Sequence, residues 1–166
     1  MKINDLFNVE NKVAVVTGGS RGIGEMITAG FLANGVKVYI SARKAPALIE
    51  KANELSEKYE AECIAIPCDL STSEGIDEFY NSIEKNESGI DFLINNAGAA
   101  WGEPLESFSE KGWDKVMDLN VKSIFFLTQK FKNLLSQKAT ESDPSRIINI
   151  GSIDGLNVPS METYSY

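Results

Sequence analysis

The fold of this chain is decided by residues 13–24, which read Val13-Ala14-Val15-Val16-Thr17-Gly18-Gly19-Ser20-Arg21-Gly22-Ile23-Gly24. The apolar run at the start predicts a buried strand, and the glycines predict a tight turn that opens a helix. Gly18, Gly22 and Gly24 let the backbone approach a ligand with no Cβ in the way. The unpaired N–H groups at the start of the next helix face the same space, at its positive dipole end. The stretch therefore predicts a pyrophosphate site, with an ordinary glycine-containing turn as the alternative.

Composition is typical of a globular protein of one domain. The chain has 166 residues, 43% hydrophobic and 24% charged, and a formal net charge of −8. That charge argues against binding to nucleic acid or an anionic membrane, because no basic face dominates. The absence of histidine excludes His-dependent triads and His-ligated metal sites, so no metal is expected. No apolar run reaches the roughly 18 residues of a membrane span, and the N-terminus lacks a signal-peptide core, so a cytoplasmic location is expected.

Apolar runs alternate with helical periods along the chain. The predicted strands are 12–18, 36–41, 62–67, 90–95 and 146–151. The predicted helices are 22–34, 45–60, 73–86 and 109–136. Because the strands are continuous apolar runs, we expect a parallel sheet that is covered on both faces. The alternation predicts an α/β fold, a Rossmann-type doubly wound sheet in a single domain over 1–166. Ser71 and Glu74 are expected to form a capping box for the third helix, and Cys63 and Cys68 are expected to be buried or half-buried thiols.

Four motifs, taken in order, resemble the short-chain dehydrogenase/reductase family. They are the Gly-x-x-x-Gly-x-Gly turn after Thr17, the segment Asn95-Asn96-Ala97-Gly98 after a second strand, Asn120 in a long helix, and Ser152 after a third strand. The resemblance covers essentially the whole chain and looks like the NADPH-dependent 3-oxoacyl reductase branch. It implies the strand order 3-2-1-4-5, a small carbonyl or alcohol substrate, and a homodimer or homotetramer for the full-length form. The cofactor contacts that it implies are Gly18, Ser20, Arg21, Gly22, Ile23, Gly24, Arg43, Asp69, Leu70, Asn96, Ala97 and Gly98.

The end of the second strand indicates which nicotinamide cofactor is bound. NAD-binding proteins of this type place a carboxylate there, but residues 38–43 contain none, and by resemblance the acidic position falls on Ala42. The Arg43 guanidinium, together with Arg21 in the glycine turn, can bind a 2′-phosphate through charge-assisted hydrogen bonds. We therefore predict NADP(H) in preference to NAD(H). The alternative for both arginines is a solvated surface charge.

The resemblance also gives roles to residues after the third and fourth strands. Asp69 would bind the adenine amino group with Leu70 against the ring, although a turn or capping aspartate is the alternative. Asn96 and its neighbours would line the ribose side, whereas Asn95 is expected to tie neighbouring strands together. Trp101 and residues 103–105 are expected to form one wall of the substrate pocket, with a plain surface loop as the alternative.

The catalytic residues that the resemblance implies are Asn120, Ser152 and Tyr166. Asn120 lies on an apolar stripe, where it would bend the helix and hold a water of a proton relay, or would be a satisfied core amide. Ser152 would donate to the substrate oxygen and stabilise its alkoxide character, with a turn serine as the alternative. Tyr166 is favoured over Tyr164 as the acid because relatives with Tyr-Ser-Tyr use the second tyrosine. The stripe comprises Trp113, Val116, Met117, Val121, Ile124, Leu127, Phe131 and Leu134.

The family pattern Tyr-x-x-x-Lys is only half present, since its lysine would fall at position 168 or 170. A free tyrosine has a pKa of about 10, and the lysine ammonium would normally favour the phenolate and bring the proton donor nearer the operating pH. The chain is therefore expected to be the N-terminal two-thirds of an enzyme whose family continues with two further strands, leaving 146–151 as an open edge. The alternatives are an NADP(H)-binding fragment without catalysis, and a protein that kept the fold and lost the ligand.

Overall fold

A computed structural model describes residues 7–156 of the chain. Five strands and five α-helices follow one another in strict alternation up to the fourth strand. The strands are β1 (Val13–Thr17), β2 (Lys37–Ala42), β3 (Cys63–Pro67), β4 (Phe92–Asn95) and β5 (Arg146–Asn149). The helices are α1 (Gly22–Leu32), α2 (Ala45–Tyr59), α3 (Ser73–Glu84), α4 (Glu110–Met117) and α5 (Ser123–Lys138). Short 3₁₀ turns lie at Leu105–Ser107 and Ile153–Gly155.

The five strands form one parallel sheet in the order β3-β2-β1-β4-β5, which confirms the predicted topology. Alternate side chains of β1 pack in two separate hydrophobic cores, because successive side chains of a strand point to opposite faces of the sheet. Val15 packs with Phe79 of α3 and Phe131 of α5 on one face. Val16 packs with Leu32 of α1 and other apolar residues on the opposite face. The sheet is therefore covered on both faces, as the continuous apolar runs predict.

The predicted helix 109–136 is interrupted. Residues Asp118–Lys122 form a π turn between α4 and α5, and such a turn shifts the phase of the helix. The predicted apolar stripe is therefore partly wrong, since Val121 is 53% exposed. Trp113 is also exposed because the buried face of α4 is centred on Gly112 and Val116 instead.

The predicted capping box of the third helix is wrong as well. Thr72 is the N-cap of α3, and its hydroxyl accepts from the Gly75 amide at 3.0 Å. Ser71 is used elsewhere, because its hydroxyl donates to Asp69 Oδ1 at 2.7 Å. A Cβ on Gly75 would lie 2.0 Å from the Asp69 carbonyl oxygen, so this close turn requires glycine.

The outer strand β5 is exposed along its whole length, which confirms the expected open edge. Ile147 and Ile148 are each more than two-fifths exposed. Cys63 and Cys68 are both buried, as predicted, and burial raises the pKa of each thiol to about 12. Within residues 7–156, no helix is long and apolar enough to span a membrane, and no cluster of three acidic or cysteine side chains suits a metal ion.

Candidate cofactor and substrate site

The glycine turn lies between the end of β1 and the start of α1, at the carboxyl edge of the sheet. Gly18 and Gly22 have φ angles of +67° and +55°, in the left-handed region that favours glycine. A Cβ on Gly24 would lie 2.2 Å from the Gly18 carbonyl oxygen, so α1 can begin this close to the turn only with glycine. The N-cap residue Arg21 makes no side-chain capping bond. The first N–H groups of α1 therefore remain available to an anionic ligand.

Thr17 joins this turn to the segment after β4. Its hydroxyl accepts from the amides of Asn96 and Ala97, both at 2.9 Å, and lies 3.3 Å from the Ile94 carbonyl. The Asn96 side chain donates in return to the carbonyls of Thr17 (2.9 Å) and Gly18 (3.3 Å). Two sequence-distant loops therefore form one rigid rim. The sequence analysis did not predict this hydrogen-bonded connection between the two loops. The one local feature that pointed to it was the position of Thr17 directly before the glycines.

Asn95 ties β4 to β5, as predicted. Its Nδ2 donates to Asn149 Oδ1 at 2.8 Å. Its Oδ1 is buried without a hydrogen-bond partner in the described part of the chain. The Ile150 amide donates to the Asn95 carbonyl at 2.9 Å, which fixes the chain just before Ser152. Ser152 is exposed at this same edge, whereas Tyr164 and Tyr166 lie outside the described residues.

Arg21 and Arg43 follow the carboxyl ends of adjacent strands. The pairing of Thr17 with Ser41 places the end of β2 beside the turn, and Ser41 Oγ accepts from the Gly18 amide at 3.4 Å. Both guanidinium groups are exposed, and neither takes part in the ion pairs recorded for residues 7–156. Arg21 within the glycine turn and Arg43 beside it therefore remain available to an anion.

Asp69 lies just beyond β3 at the same edge. Its Oδ1 accepts from the Ser71 amide at 3.1 Å and from the Ser71 hydroxyl, so it organises the turn into α3. This is the turn role that the sequence left open, and the adenine contact stays a prediction. Leu70 is only 4% exposed and packs in the core, which leaves little of its side chain for an adenine ring.

Asn120 lies within the π turn and reaches back to the segment after β4. Its Oδ1 accepts from the Ala99 amide at 2.8 Å, and its Nδ2 donates to the Ala99 carbonyl at 2.9 Å. Both polar atoms of the Asn120 side chain are thus hydrogen-bonded to backbone atoms. The irregularity expected in this helix is the π turn. The structure brings Asn120, the glycine turn, residues 96–98 and Ser152 to one edge of the sheet, although the catalytic roles stay predictions.

Comparison with known proteins agrees with this arrangement. Residues 12–166 match a family model described as short chain dehydrogenase. The chain is 42% identical over 160 residues to a rhamnolipids biosynthesis 3-oxoacyl-[acyl-carrier-protein] reductase of Pseudomonas aeruginosa, covering 96% of this chain and 62% of that protein. It is 34% identical to the 2-dehydro-3-deoxy-D-gluconate 5-dehydrogenase of Escherichia coli, covering 93% and 60%.

Solved structures of NADP(H)-bound proteins are also similar to this chain. An active-site complex of RhlG with NADP from Pseudomonas aeruginosa matches with a TM-score of 0.89 at 43% identity, covering 95% of this chain and 61% of that chain. L-Sorbose reductase from Gluconobacter frateurii, complexed with NADPH and L-sorbose, matches with a TM-score of 0.82 at 29% identity, covering 90% and 55%. The chain thus spans about three-fifths of the length of the curated relatives it matches.

Proposed function

Because this chain belongs to the short-chain dehydrogenase family, we propose that it binds NADP(H) and that the whole protein reduces a ketone or aldehyde of a small molecule. The observation that carries the proposal is the pair of exposed arginines, Arg21 and Arg43, beside the glycine turn. Ala42, where an acidic residue would favour NAD, has no charge. The named relatives that were solved with NADP or NADPH support the same choice.

The cofactor would lie along the carboxyl edge of the sheet. The glycine turn and the first amides of α1 would hold its pyrophosphate, and Arg21 and Arg43 would bind its 2′-phosphate. Asp69 would contact the adenine. The rim at residues 96–98 would border the ribose on the nicotinamide side, since Thr17 and Asn96 hold that backbone against the turn.

Once bound, the cofactor supplies the hydride that reduces the carbonyl carbon. The Ser152 hydroxyl would donate to the carbonyl oxygen, where negative charge develops, and so stabilise the transition state. Tyr166 would give that oxygen its proton. The π turn around Asn120 would hold a water on the route by which this proton is replaced.

A 3-oxoacyl compound is the first substrate to test, because the Pseudomonas aeruginosa relative named as a 3-oxoacyl reductase is 42% identical. We further propose a dimer or tetramer and a cytoplasmic location, with neither nucleic acid nor a membrane as a partner. The family and the excess of acidic residues support these expectations.

The test is the dissociation constant of NADPH and of NADH for the unaltered protein and for Arg43→Ala. A hydrogen bond to a charged group contributes about 1.5–3 kcal/mol, so the variant should bind NADPH roughly 10- to 100-fold more weakly. NADH affinity should hardly change. Lys132→Ala removes the same charge from an exposed site on α5 and serves as the control. Equal losses for both nucleotides would refute the 2′-phosphate contact.

A further inference from the structure

The wall segment, residues 99–109, runs from the end of the rim to the start of α4. It is fastened at three points. Asn120 holds the Ala99 backbone through two hydrogen bonds. Trp101 packs on Gly112 of α4. Glu103 Oε2 accepts from the Ser109 amide at 2.7 Å, at the N-cap of α4. A loop held at both ends and in the middle has its shape before any ligand arrives.

The indole of Trp101 lies very close to the backbone of Gly112. A Cβ on Gly112 would lie 2.4 Å from both Cδ1 and Nε1 of the indole, far inside van der Waals contact. The ring edge therefore lies directly on the helix backbone. Glycine within a helix costs about 1 kcal/mol relative to alanine. The close approach of Trp101 supplies a packing reason for glycine at this position.

Two charged side chains fix the surroundings of the ring. The Lys115 ammonium lies 4.5 Å from the centroid of the Trp101 ring, a favourable cation–π distance. The backbone hydrogen bond from Ser109, followed by side-chain bonds from Ser109 and Trp101, lowers the pKa of Glu103. The carboxylate is thus engaged at the helix start.

The wall segment also carries other apolar side chains. Ala99, Ala100 and Leu105 accompany the indole, and Leu105 is 63% exposed. Such a surface offers dispersion contacts to an alkyl or acyl chain. It offers few hydrogen bonds to a polyhydroxylated substrate, whose hydroxyl groups would lose water without gaining partners.

We propose that Trp101 is a specificity-determining residue that presents a fixed apolar surface to the chain attached to the substrate carbonyl, and that Gly112 is the positioning residue that holds it. The inference rests on the proposed function and names its substrate class. The substrates are carbonyl compounds on an apolar acyl or alkyl chain, in preference to keto sugars.

The positioning role is tested without catalysis, by fluorescence and stability. The sequence has two tryptophans, so Trp113→Phe leaves Trp101 as the only emitter. Gly112→Ala should shift its emission maximum and lower the free energy of unfolding. Gly30→Ala, in the open part of α1 where a Cβ meets nothing, should do neither. In a Trp101→Ala background, Gly112→Ala should no longer destabilise. These variants form a double-mutant cycle. Additive changes in the free energy of unfolding, or an unchanged emission maximum in Gly112→Ala, would overturn the positioning role.

The specificity role is tested by kinetics with NADPH. Trp101→Ala should raise KM for a medium-chain 3-oxoacyl thioester about tenfold, the scale of losing apolar contacts in a pocket. It should leave kcat and the KM for a keto sugar nearly unchanged, and Trp101→Phe should restore most of the loss. If the variant binds NADPH normally, then equal effects on the KM of the two substrates, or no effect on either, would overturn this inference. Failure of the unaltered protein to bind NADPH would instead overturn the proposed function.

Discussion

Substituting alanine for Gly24 tests how the start of α1 creates the pyrophosphate site. The new Cβ would lie 2.2 Å from the Gly18 carbonyl oxygen and 2.5 Å from Asn96 Nδ2. The first atom belongs to the backbone and the second to a side chain that holds the rim. Neither can move without breaking the joint between the two loops, so α1 must shift away from β1.

The magnitude follows from two opposing effects. Alanine in a helix is favoured over glycine by about 1 kcal/mol. Overpacking a close contact costs about 1–3 kcal/mol, and weakened rim hydrogen bonds add about 1 kcal/mol. Gly24→Ala should therefore lower the free energy of unfolding by about 1–3 kcal/mol, since the losses exceed the gain. It should also weaken NADPH binding at least tenfold, because the amides of α1 no longer face the pyrophosphate.

The assay is urea denaturation together with NADPH titration. Gly30→Ala is the matched control, because it lies in the same helix and its Cβ meets nothing within 4 Å. The free energy of unfolding of the control should rise by up to about 1 kcal/mol, and its NADPH affinity should not change. If Gly24→Ala behaves like Gly30→Ala in both measurements, the reasoning about the close approach is refuted.

Four other substitutions test separate parts of the structure. Thr17→Val keeps the shape but leaves the Asn96 and Ala97 amides without an acceptor, so urea denaturation should show a loss of about 1–3 kcal/mol. Asn120→Ala removes both bonds to Ala99, and chymotrypsin, which cleaves after aromatic residues such as Trp101 and Phe108, should cut residues 99–109 faster than in the unaltered protein. Ser152→Ala should lower kcat for reduction of the carbonyl substrate about 100-fold or more, measured by the loss of NADPH absorbance. A kcat within a factor of three of the unaltered protein would contradict the proposed role of Ser152. Burial, then the hydrogen bond to Glu87, raises the pKa of Tyr39 to about 12. The phenol ionises near pH 10 in the unfolded chain and near pH 12 in the folded one, so its stabilisation is complete below pH 10 and is lost toward pH 12. The difference in unfolding free energy between the unaltered protein and Tyr39→Phe should therefore shrink across that interval, and a constant difference would contradict the assignment.

The sequence predicts the sheet well because its strands are unambiguous. Runs such as residues 13–16 are uniformly apolar and lie next to glycine-rich turns, so their position and burial are local properties of the sequence. The carboxyl ends of parallel strands share one edge. Motifs at those ends are therefore expected together, and the structure places the glycine turn, residues 96–98 and Ser152 accordingly.

Other features depend on contacts that no local pattern contains. Val121 continues the apolar period of the sequence, but the π turn adds one residue to that period, so the exposure of Val121 could not be predicted. The Thr17 hydroxyl bonds to amides almost 80 positions away. Gly112 looks like an ordinary helix glycine until the indole of Trp101 is found on its Cα. In each case tertiary packing, rather than propensity, decides the outcome.

The central claim is that the edge between β1 and β2 recognises the 2′-phosphate of NADP(H). Its most direct test compares two half-molecules, 2′,5′-ADP and 5′-ADP, by calorimetric titration of the unaltered protein at one salt concentration. The two ligands share adenosine and a 5′-phosphate, and the second phosphate group is at the 2′ position only in the first. Binding of 2′,5′-ADP at least tenfold more tightly is the predicted result, from one or two charge-assisted hydrogen bonds. Equal affinity, or tighter binding of 5′-ADP, would contradict the account.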